Sequence, residues 1–194
     1  MSASASRLYD FAFRGLLAEE ALDKAGRRNS DHGKALDEQI AVALSIDLLD
    51  EDLVIRARRM ATVYTAIAAF ENSVRKLIVT VLLEKEGEDW WTRCVSDKIQ
   101  ARAETKRKDE ERIKWHTQRG ADPIYYSLMG DLVSIIRQNW THFEPHLKSV
   151  DWTASIIDIL ERSRNVIMHS GSLEQTDIDR IGIFIRDWVK QVGA

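Results

Sequence analysis

The end of a helix predicted over residues 156–171, which Gly171 is expected to stop, carries three side chains that could do chemistry: Arg164, Asn165 and His169. A histidine titrates near neutral pH and can therefore accept or donate a proton during a reaction. An arginine keeps its charge and can grip two oxygens of one phosphate. Cleavage of RNA without a metal needs such groups, for the 2′-hydroxyl proton, the leaving oxygen and the crowded phosphate. We therefore predict a site in which Arg164 and His169 act on RNA and Asn165 orients the histidine or holds the phosphate.

The spacing Arg-x-x-x-x-His is a weak signal by itself, because it occurs three times in this chain. Arg27–His32 lies in a polar turn without rigid support around it. Arg137–His142 spans the end of a helix shortly before Pro145. Arg164–His169 lies on a well-defined helix, with Asn165 one turn before the histidine on the same face, and this copy is therefore favoured.

The geometry of one helix separates the two catalytic candidates. Five residues correspond to about 140° of rotation, so Arg164 and His169 point in different directions. The helix could fray near Ser170-Gly171, or two copies of the helix could face each other across a two-fold axis and share one cleft. We favour the second arrangement. The alternative is a histidine that caps the last carbonyls beside a surface arginine.

The element best suited to support this site is a long helix predicted over residues 51–85, which contains no glycine or proline. Its apolar residues form one broad face, predicted to comprise Met60, Val63, Tyr64, Ile67, Val74, Ile78, Val81 and Leu82. Glu71 falls inside that face and Arg75 lies near its edge. A carboxylate in this position is costly unless it is paired or wet. It indicates either a structural Glu71–Arg75 pair or a polar pocket wall that meets the Arg164–His169 region.

A highly charged stretch over residues 97–119 is the best candidate for steering RNA phosphates, with Lys106, Arg107 and Lys108 at its centre. The ordinary interpretation of such a stretch is a solvated helix. Arg75 and Arg162 are further candidates for RNA binding, the latter on the polar stripe of the helix that carries His169.

The rest of the chain is predicted to be helical, with no convincing strand. An N-terminal hairpin of helices over residues 7–25 and 35–49 would form an arm, residues 1–50, ahead of a helical domain at residues 51–194. Residues 121–140 are predicted to form a turn at Asp122-Pro123 followed by a helix. A last helix is predicted after residue 172, with Ser172 as N-cap and Gln175 completing a capping box. Its predicted core face comprises Ile178, Ile181, Ile183, Phe184, Trp188 and Val189.

Composition limits the class of protein. The single cysteine excludes a disulfide framework within the chain and fits a reducing cytoplasm. Neither a secretory signal nor a run of apolar residues long enough to span a membrane is expected. No phosphate-binding glycine loop is present, and Pro145 disrupts the helical spacing of His142 and His146, so we expect neither a cofactor nor a metal site.

The segment ERSRNVIMHSGSL resembles the signature of the HEPN superfamily, in which an arginine, usually followed by a polar residue, lies five positions before a histidine at a helix end. YTAIAAFENSVRKLI, GEDWW, IYYSLMGDLVSIIRQNW and DIDRIGIFIRDWV resemble the HEPN branch found in a eukaryotic nuclear mRNA-surveillance endoribonuclease and in bacterial defence and toxin proteins. The resemblance covers residues 55–190 and leaves the N-terminal hairpin without a counterpart.

The resemblance implies an all-α bundle of four to five core helices that dimerises to bring two copies of the motif together. It implies Arg164 and His169 as catalytic residues, Asn165 beside them and Glu71 as a helper. The implied activity is metal-independent RNA cleavage that leaves a cyclic phosphate, in a toxin or phage-defence effector that an antitoxin or another defence protein restrains. Many HEPN domains are catalytically silent, so a helical dimerisation or interaction module is the competing hypothesis.

Overall fold

The computed structural model describes Leu22 and residues 36–193, and all of the regular structure in these residues is helical. The predicted all-α fold class is therefore confirmed. The chain divides into two compact units, Met1–Ile55 and Arg56–Ala194, and each is described by itself. No helix of the described residues is long and apolar enough to cross a membrane.

Most of the predicted N-terminal hairpin lies outside the described residues. Leu22, the one described residue of the first predicted helix, is helical. The second predicted helix is shorter than expected, because residues 36–43 are helical and a turn then leads into the 3-10 helix Ile46–Leu48. Ser45 interrupts the helix by adopting a left-handed backbone conformation with φ 51°.

The long helix is present over Glu51–Glu86 and is called α1. Asp50 caps its start by accepting a hydrogen bond from the Leu53 backbone N–H at 3.1 Å. Gly87 follows its end with φ 77°, a conformation that glycine adopts without strain. The predicted apolar face is largely buried, with the addition of Phe70, whereas Tyr64 is exposed.

Six further helices follow α1: α2 Trp90–Cys94, α3 Asp97–Glu111, α4 Met129–Gln138, α5 Trp140–Phe143, α6 Val150–Met168 and α7 Gln175–Val192. A 3-10 turn, Pro123–Tyr126, lies between α3 and α4. The helix α4 packs on α6, which also contacts α7, and α3 packs on the 3-10 turn. One core joins these elements, and its fully buried side chains include Ile67, Ile78, Leu132, Ile136, Ile156 and Leu160.

Several predicted helix boundaries are wrong. The helix α6 begins at Val150, so Trp152 lies inside it, and the Ser149 hydroxyl caps it by accepting from the Trp152 N–H at 3.1 Å. The charged helix α3 ends at Glu111, and residues 112–119 are not helical. Turn and cap chemistry, rather than charge or periodicity, decides both boundaries.

The predicted capping box before α7 is also wrong. The N-cap of α7 is Glu174, not Ser172. Leu173 is buried instead, and its N–H donates to the Met60 sulfur at 3.3 Å. The segment predicted to begin the helix therefore packs against α1 before α7 begins.

The buried face of α7 is narrower than predicted. Ile181 and Trp188 are buried, whereas Ile183 and Val189 are exposed. The Trp188 ring stacks on Trp152 at 5.9 Å and meets Phe70 edge-on at 5.2 Å. This aromatic cluster ties α7 to both α6 and α1.

Candidate active site

Glu71 is a carboxylate on the buried face of α1, 9% exposed, where the helical periodicity places it. Its Oε1 accepts a hydrogen bond from Arg75 Nη2 at 2.5 Å, one helical turn further on. The predicted Glu71–Arg75 pair is therefore present, and it is buried. A buried ion pair needs additional hydrogen bonds to offset its desolvation, and both partners have them.

Arg75 anchors this pair to the segment between α3 and α4. Its Nε donates to the Ile124 carbonyl at 3.4 Å and its Nη2 to the Ser127 carbonyl at 3.3 Å. Its Nη1 reaches the Asn72 side-chain oxygen at 3.5 Å. The guanidinium is therefore committed to partners within the protein, and its predicted contact with RNA stays a prediction.

Arg164 reaches the same carboxylate from α6. Its Nη1 donates to Glu71 Oε2 at 3.2 Å, with Oε1 at 3.5 Å, although the two residues are far apart in the chain. Its Nη2 donates to the Asn165 side-chain oxygen at 3.4 Å. The Arg164 side chain is 22% exposed. Glu71 thus pairs with Arg75, as the first interpretation of the sequence predicts, and also contacts Arg164, as the second predicts.

This network leaves Arg164 able to bind an anion. A guanidinium has five N–H groups, and only part of them is used by Glu71 and Asn165. Glu71 carries one negative charge against the two positive charges of Arg75 and Arg164. The cluster therefore keeps a net positive charge, with Arg164 as its more accessible cation.

His169 lies in a different environment, at the C-cap of α6. Its backbone N–H donates to the Asn165 carbonyl at 3.1 Å, but its ring is exposed and has no hydrogen-bond partner among the described residues. Ser170 follows in the left-handed region with φ 62°, and the Gly171 N–H closes the helix end on the Val166 carbonyl at 2.8 Å. The left-handed residue that stops the helix is thus Ser170, and not Gly171 as the sequence suggested.

Two exposed apolar side chains flank the histidine on this helix end. Val166 is 41% exposed and Met168 is 62% exposed. Val166 is thus not covered by the core, unlike Ile156 and Leu160 on the same helix. The apolar surface around His169 is therefore open to solvent in a single chain.

The predicted RNA-binding cations fall into two groups. Arg107 pairs with Glu104 and Glu111, each at 3.0 Å, and Lys108 pairs with Glu104 at 3.3 Å. Arg162 is likewise exposed and pairs with Asp158 at 3.0 Å. These are ordinary helix-surface ion pairs, which contribute little and can open readily.

Lys106 is half-buried and lies in a surplus of positive charge. Burial is the main cause that lowers the pKa of its ammonium group, and Arg119, Arg102 and Arg164 lower it further, while Asp131 opposes the shift. Arg102 and Arg119 belong to the charged stretch at residues 97–119 but were not among the residues predicted to bind RNA. Arg102 could have been predicted, because it lies one helical turn before Lys106 and therefore on the same face of α3.

One groove beside α6 is acidic. A groove of about 490 Å³ is lined by Asp151, Asp158 and Glu161 together with small and apolar residues of α4 and α6. Its charge disfavours a phosphate, and it contains neither Arg164 nor His169. Within residues 36–193 no three histidine, cysteine, aspartate or glutamate side chains are grouped so as to hold a metal ion.

The comparisons with known proteins match this arrangement to one family. The family model described as Swt1-like HEPN matches residues 65–193, which include α1 from Thr65 onwards, the motif helix α6 and all of α7. Comparison with curated proteins and with solved structures gives no match. HEPN proteins are in general ribonucleases. On the extent of the match, the chain belongs to the Swt1-like HEPN family.

Proposed function

We propose that this chain is a metal-independent endoribonuclease that acts as a homodimer and cleaves RNA at Arg164 and His169. The observation that carries the proposal is the buried Glu71 carboxylate, which holds the Arg164 guanidinium at 3.2 Å while Arg75 fixes Glu71 from the other side. A surface arginine needs no such support. A cation that must stay beside one phosphate oxygen during a reaction needs its side chain to be held in this way.

The proposed reaction is an internal transesterification. The 2′-oxygen attacks the neighbouring phosphorus while a base takes the 2′-hydroxyl proton. The bond from phosphorus to the 5′-oxygen breaks as an acid protonates that oxygen, which leaves a cyclic phosphate and a 5′-hydroxyl. Arg164 would stabilise the charge on the non-bridging oxygens, and His169 would transfer one of the two protons.

The dimer is proposed because one subunit does not direct both groups to one point. Arg164 turns inward to Glu71, whereas the His169 ring faces solvent at the helix end. A two-fold axis near this end would cover Val166 and Met168 and bring the histidine of one subunit to the arginine of the other.

The test is cleavage of an end-labelled RNA in EDTA by the wild type, Arg164→Ala and His169→Ala. We expect the wild type alone to cleave and to leave a cyclic phosphate, with each variant reduced by about 10²-fold or more. His146→Ala and Arg180→Ala are matched controls, since both residues are exposed and lie outside the Glu71 network. Equal cleavage by wild type and His169→Ala would refute the proposed site.

The competing function is a catalytically silent dimerisation module that uses the same helix end. The exposed pair Val166 and Met168 favours an interface there under either hypothesis. The module predicts no cleavage by wild type, together with loss of the dimer in Met168→Glu. A dimer that cleaves RNA and loses both properties in Met168→Glu supports the enzyme.

The proposed setting is a toxin or antiviral-defence effector in the cytoplasm, restrained by a partner protein. The resemblance to defence-associated HEPN proteins and the single free cysteine, Cys94, support this setting. Expression of the wild type should arrest growth, and expression of His169→Ala should not. Equal toxicity of the two proteins would argue against RNA cleavage as its cause.

A further inference from the structure

The segment that joins α3 to the 3-10 turn, residues 112–119, combines an exposed aromatic ring with positive charge. Trp115 is 86% exposed, the highest value among the large hydrophobic residues in the described part of the chain. Among the aromatic rings of residues 36–193, it meets the adjacent His116 ring, at 5.6 Å and 73°. Arg112 and Lys114 precede it in the sequence. Tryptophan is usually well buried, so a ring left in water among cations indicates a surface that a partner covers.

This segment ends on the scaffold that positions Arg164. The Arg119 guanidinium lies over the Tyr126 ring at 5.9 Å and also pairs with Glu110. Tyr126 belongs to the 3-10 turn that, through the carbonyl of Ile124, accepts from Arg75. Arg75 in turn holds the carboxylate that binds Arg164. The aromatic segment and the candidate active site are therefore built on the same turn.

Cations lie along the surface between the two. Arg102 pairs with the buried Asp131 at 3.2 Å, and Lys106 lies one turn further along α3. Burial is the first cause of the lowered pKa of Lys106, and Arg119, Arg102 and Arg164 each repel its ammonium group and lower the pKa further. Only Asp131 among the causes acts in the opposite direction. A polyanion bound along this path would relieve that repulsion.

We propose that residues 112–119 dock a single-stranded part of the RNA substrate. Trp115 stacks on an unpaired base, and Arg119, Lys106 and Arg102 bind successive phosphates that lead to Arg164. An aromatic ring can stack on a base face only where the base is not covered by its neighbours in a duplex, so the site selects unpaired RNA. This inference rests on the proposed function, because it names the part of the substrate that the same site receives.

The charges distinguish RNA from a protein as the occupant. A protein contact centred on tryptophan is typically ringed by residues that exclude water, with charged residues depleted around it. Here Arg112, Ile113 and Lys114 precede Trp115 and all three are exposed, so cations outnumber apolar side chains beside the ring. Stacking with flanking cations is the usual arrangement for single-stranded nucleic acid.

Binding is tested separately from cleavage, in full-length His169→Ala protein, by fluorescence anisotropy of a labelled oligoadenylate and of a hairpin duplex. We expect tight binding of the single strand, weaker binding of the duplex, and a loss of single-strand affinity of about tenfold or more in Trp115→Ala. Trp115→Phe should retain most of the affinity, because the ring is kept. Leu83→Ala, another exposed apolar residue, is the control and should bind as His169→Ala alone.

The proposed phosphate contacts of Arg119, Lys106 and Arg102, called the cation path, are tested by the salt dependence of RNA binding. Lys106→Gln should weaken binding and reduce the slope of log K against log salt by about one unit, whereas Arg180→Gln should change neither. An unchanged slope in Lys106→Gln would remove that residue from the path.

Unchanged single-strand affinity in Trp115→Ala, or no RNA binding by any variant, would overturn the docking site. A change of self-association in Trp115→Ala with unchanged RNA affinity would also overturn it, in favour of a protein contact. Trp115-dependent binding by a wild-type protein that cleaves no RNA would support the docking site and refute the nuclease. If the wild type cleaves RNA and neither cleavage nor binding changes in Trp115→Ala, the nuclease is supported and the docking site is refuted.

Discussion

Arg164 and His169 lie on the same helix, five positions apart, yet they are held in opposite ways. The Arg164 side chain is 22% exposed and donates to Glu71 and Asn165. The His169 ring is exposed, and only its backbone is fixed, through the hydrogen bonds that close the helix end. The cation is thus positioned by the core of the protein, and the histidine by a turn at its surface.

This difference separates the contributions of folding and of assembly. The Glu71–Arg75–Arg164 network forms when α1, α6 and the 3-10 turn pack together, so a folded subunit already holds in place the group that we propose binds phosphate. The orientation of the His169 ring is not fixed by hydrogen bonds among the described residues, so it depends on what binds over the helix end. A second subunit or the substrate itself can supply that, which makes the histidine the part of the site most sensitive to assembly.

The strongest way to test this contrast is to remove the carboxylate. Glu71→Ala leaves Arg75 buried without its charged partner, and we expect a loss of about 3–5 kcal/mol in the free energy of unfolding, together with loss of cleavage. Urea denaturation at an unchanged m-value measures the first effect and RNA cleavage the second.

His169→Ala should instead leave the free energy of unfolding within about 0.5 kcal/mol of wild type while it abolishes cleavage. Glu84→Ala is the control on α1, since Glu84 is exposed and pairs only with its neighbour Lys85. If Glu71→Ala does not fold, Glu71→Gln keeps the size and the oxygen acceptor but removes the charge. A Glu71→Ala protein as stable as Glu84→Ala would show that the core does not depend on the network.

The assembly side of the contrast is tested by mixing two inactive variants. A dimer of one Arg164→Ala subunit and one His169→Ala subunit contains an intact arginine and an intact histidine on different chains. If the proposed cleft combines them across the two-fold axis, mixed dimers purified through two affinity tags should cleave RNA about tenfold faster than either variant alone. Each residue would be absent from the homodimers of its own variant, and these provide the control. No recovery in the mixed dimer would place both groups in one subunit or require both histidines.

Local periodicity was enough to predict Glu71 on the buried face of α1, because a helix fixes which residues share a face, whereas Arg75 was predicted near the edge of that face and is buried as well. It could not show that Arg164 meets Glu71, since that contact joins distant parts of the chain. The same limit applies to Lys106 and Arg119, which come close only because α3 packs on the 3-10 turn. The resemblance to HEPN proteins supplied the link between Glu71 and the motif that periodicity lacked.

The predicted helix ends and buried faces differ from the structure where tertiary contacts override the preference of the local sequence. Ser172 has the right residue type for an N-cap, but burial of Leu173 delays the start of α7. Ile183 and Val189 continue an apolar pattern that the core does not cover in the described residues. Gly171 was the expected helix stop, since glycine favours the left-handed conformation, yet Ser170 adopts it.

Gly171 is required for a different reason, its close approach to the preceding turn. A Cβ atom at this position would lie 2.7 Å from Val166 Cγ1 and 2.8 Å from the Val166 carbonyl oxygen. Because the carbonyl belongs to the helix backbone, Gly171→Ala should cost about 1–3 kcal/mol of stability and also lower cleavage by displacing His169. Thermal unfolding and cleavage rates measure the two effects.

Gly130→Ala is the matched control, since the nearest atom to its added Cβ would be a flexible Glu161 oxygen at 3.7 Å. It should leave both properties close to wild type. If Gly171→Ala behaved the same way, the turn after His169 would be too loose to position the histidine backbone, and the contrast with Arg164 would be larger than we infer.

The smallest expected effect tests the strain in that turn. Ser170 has φ 62°, a conformation that costs a residue with a Cβ about 1 kcal/mol relative to glycine. Ser170→Gly removes this cost but adds freedom to the unfolded chain, so we expect a net gain of about 0.5 kcal/mol in the free energy of unfolding. Ser155→Gly, at an exposed position inside α6, should have the opposite sign, because glycine is unfavourable within a helix. Two serine-to-glycine changes on one helix would then move stability in opposite directions. If both destabilise the protein, the left-handed conformation at Ser170 carries no strain that glycine relieves, and the freedom that glycine adds to the unfolded chain dominates at both positions.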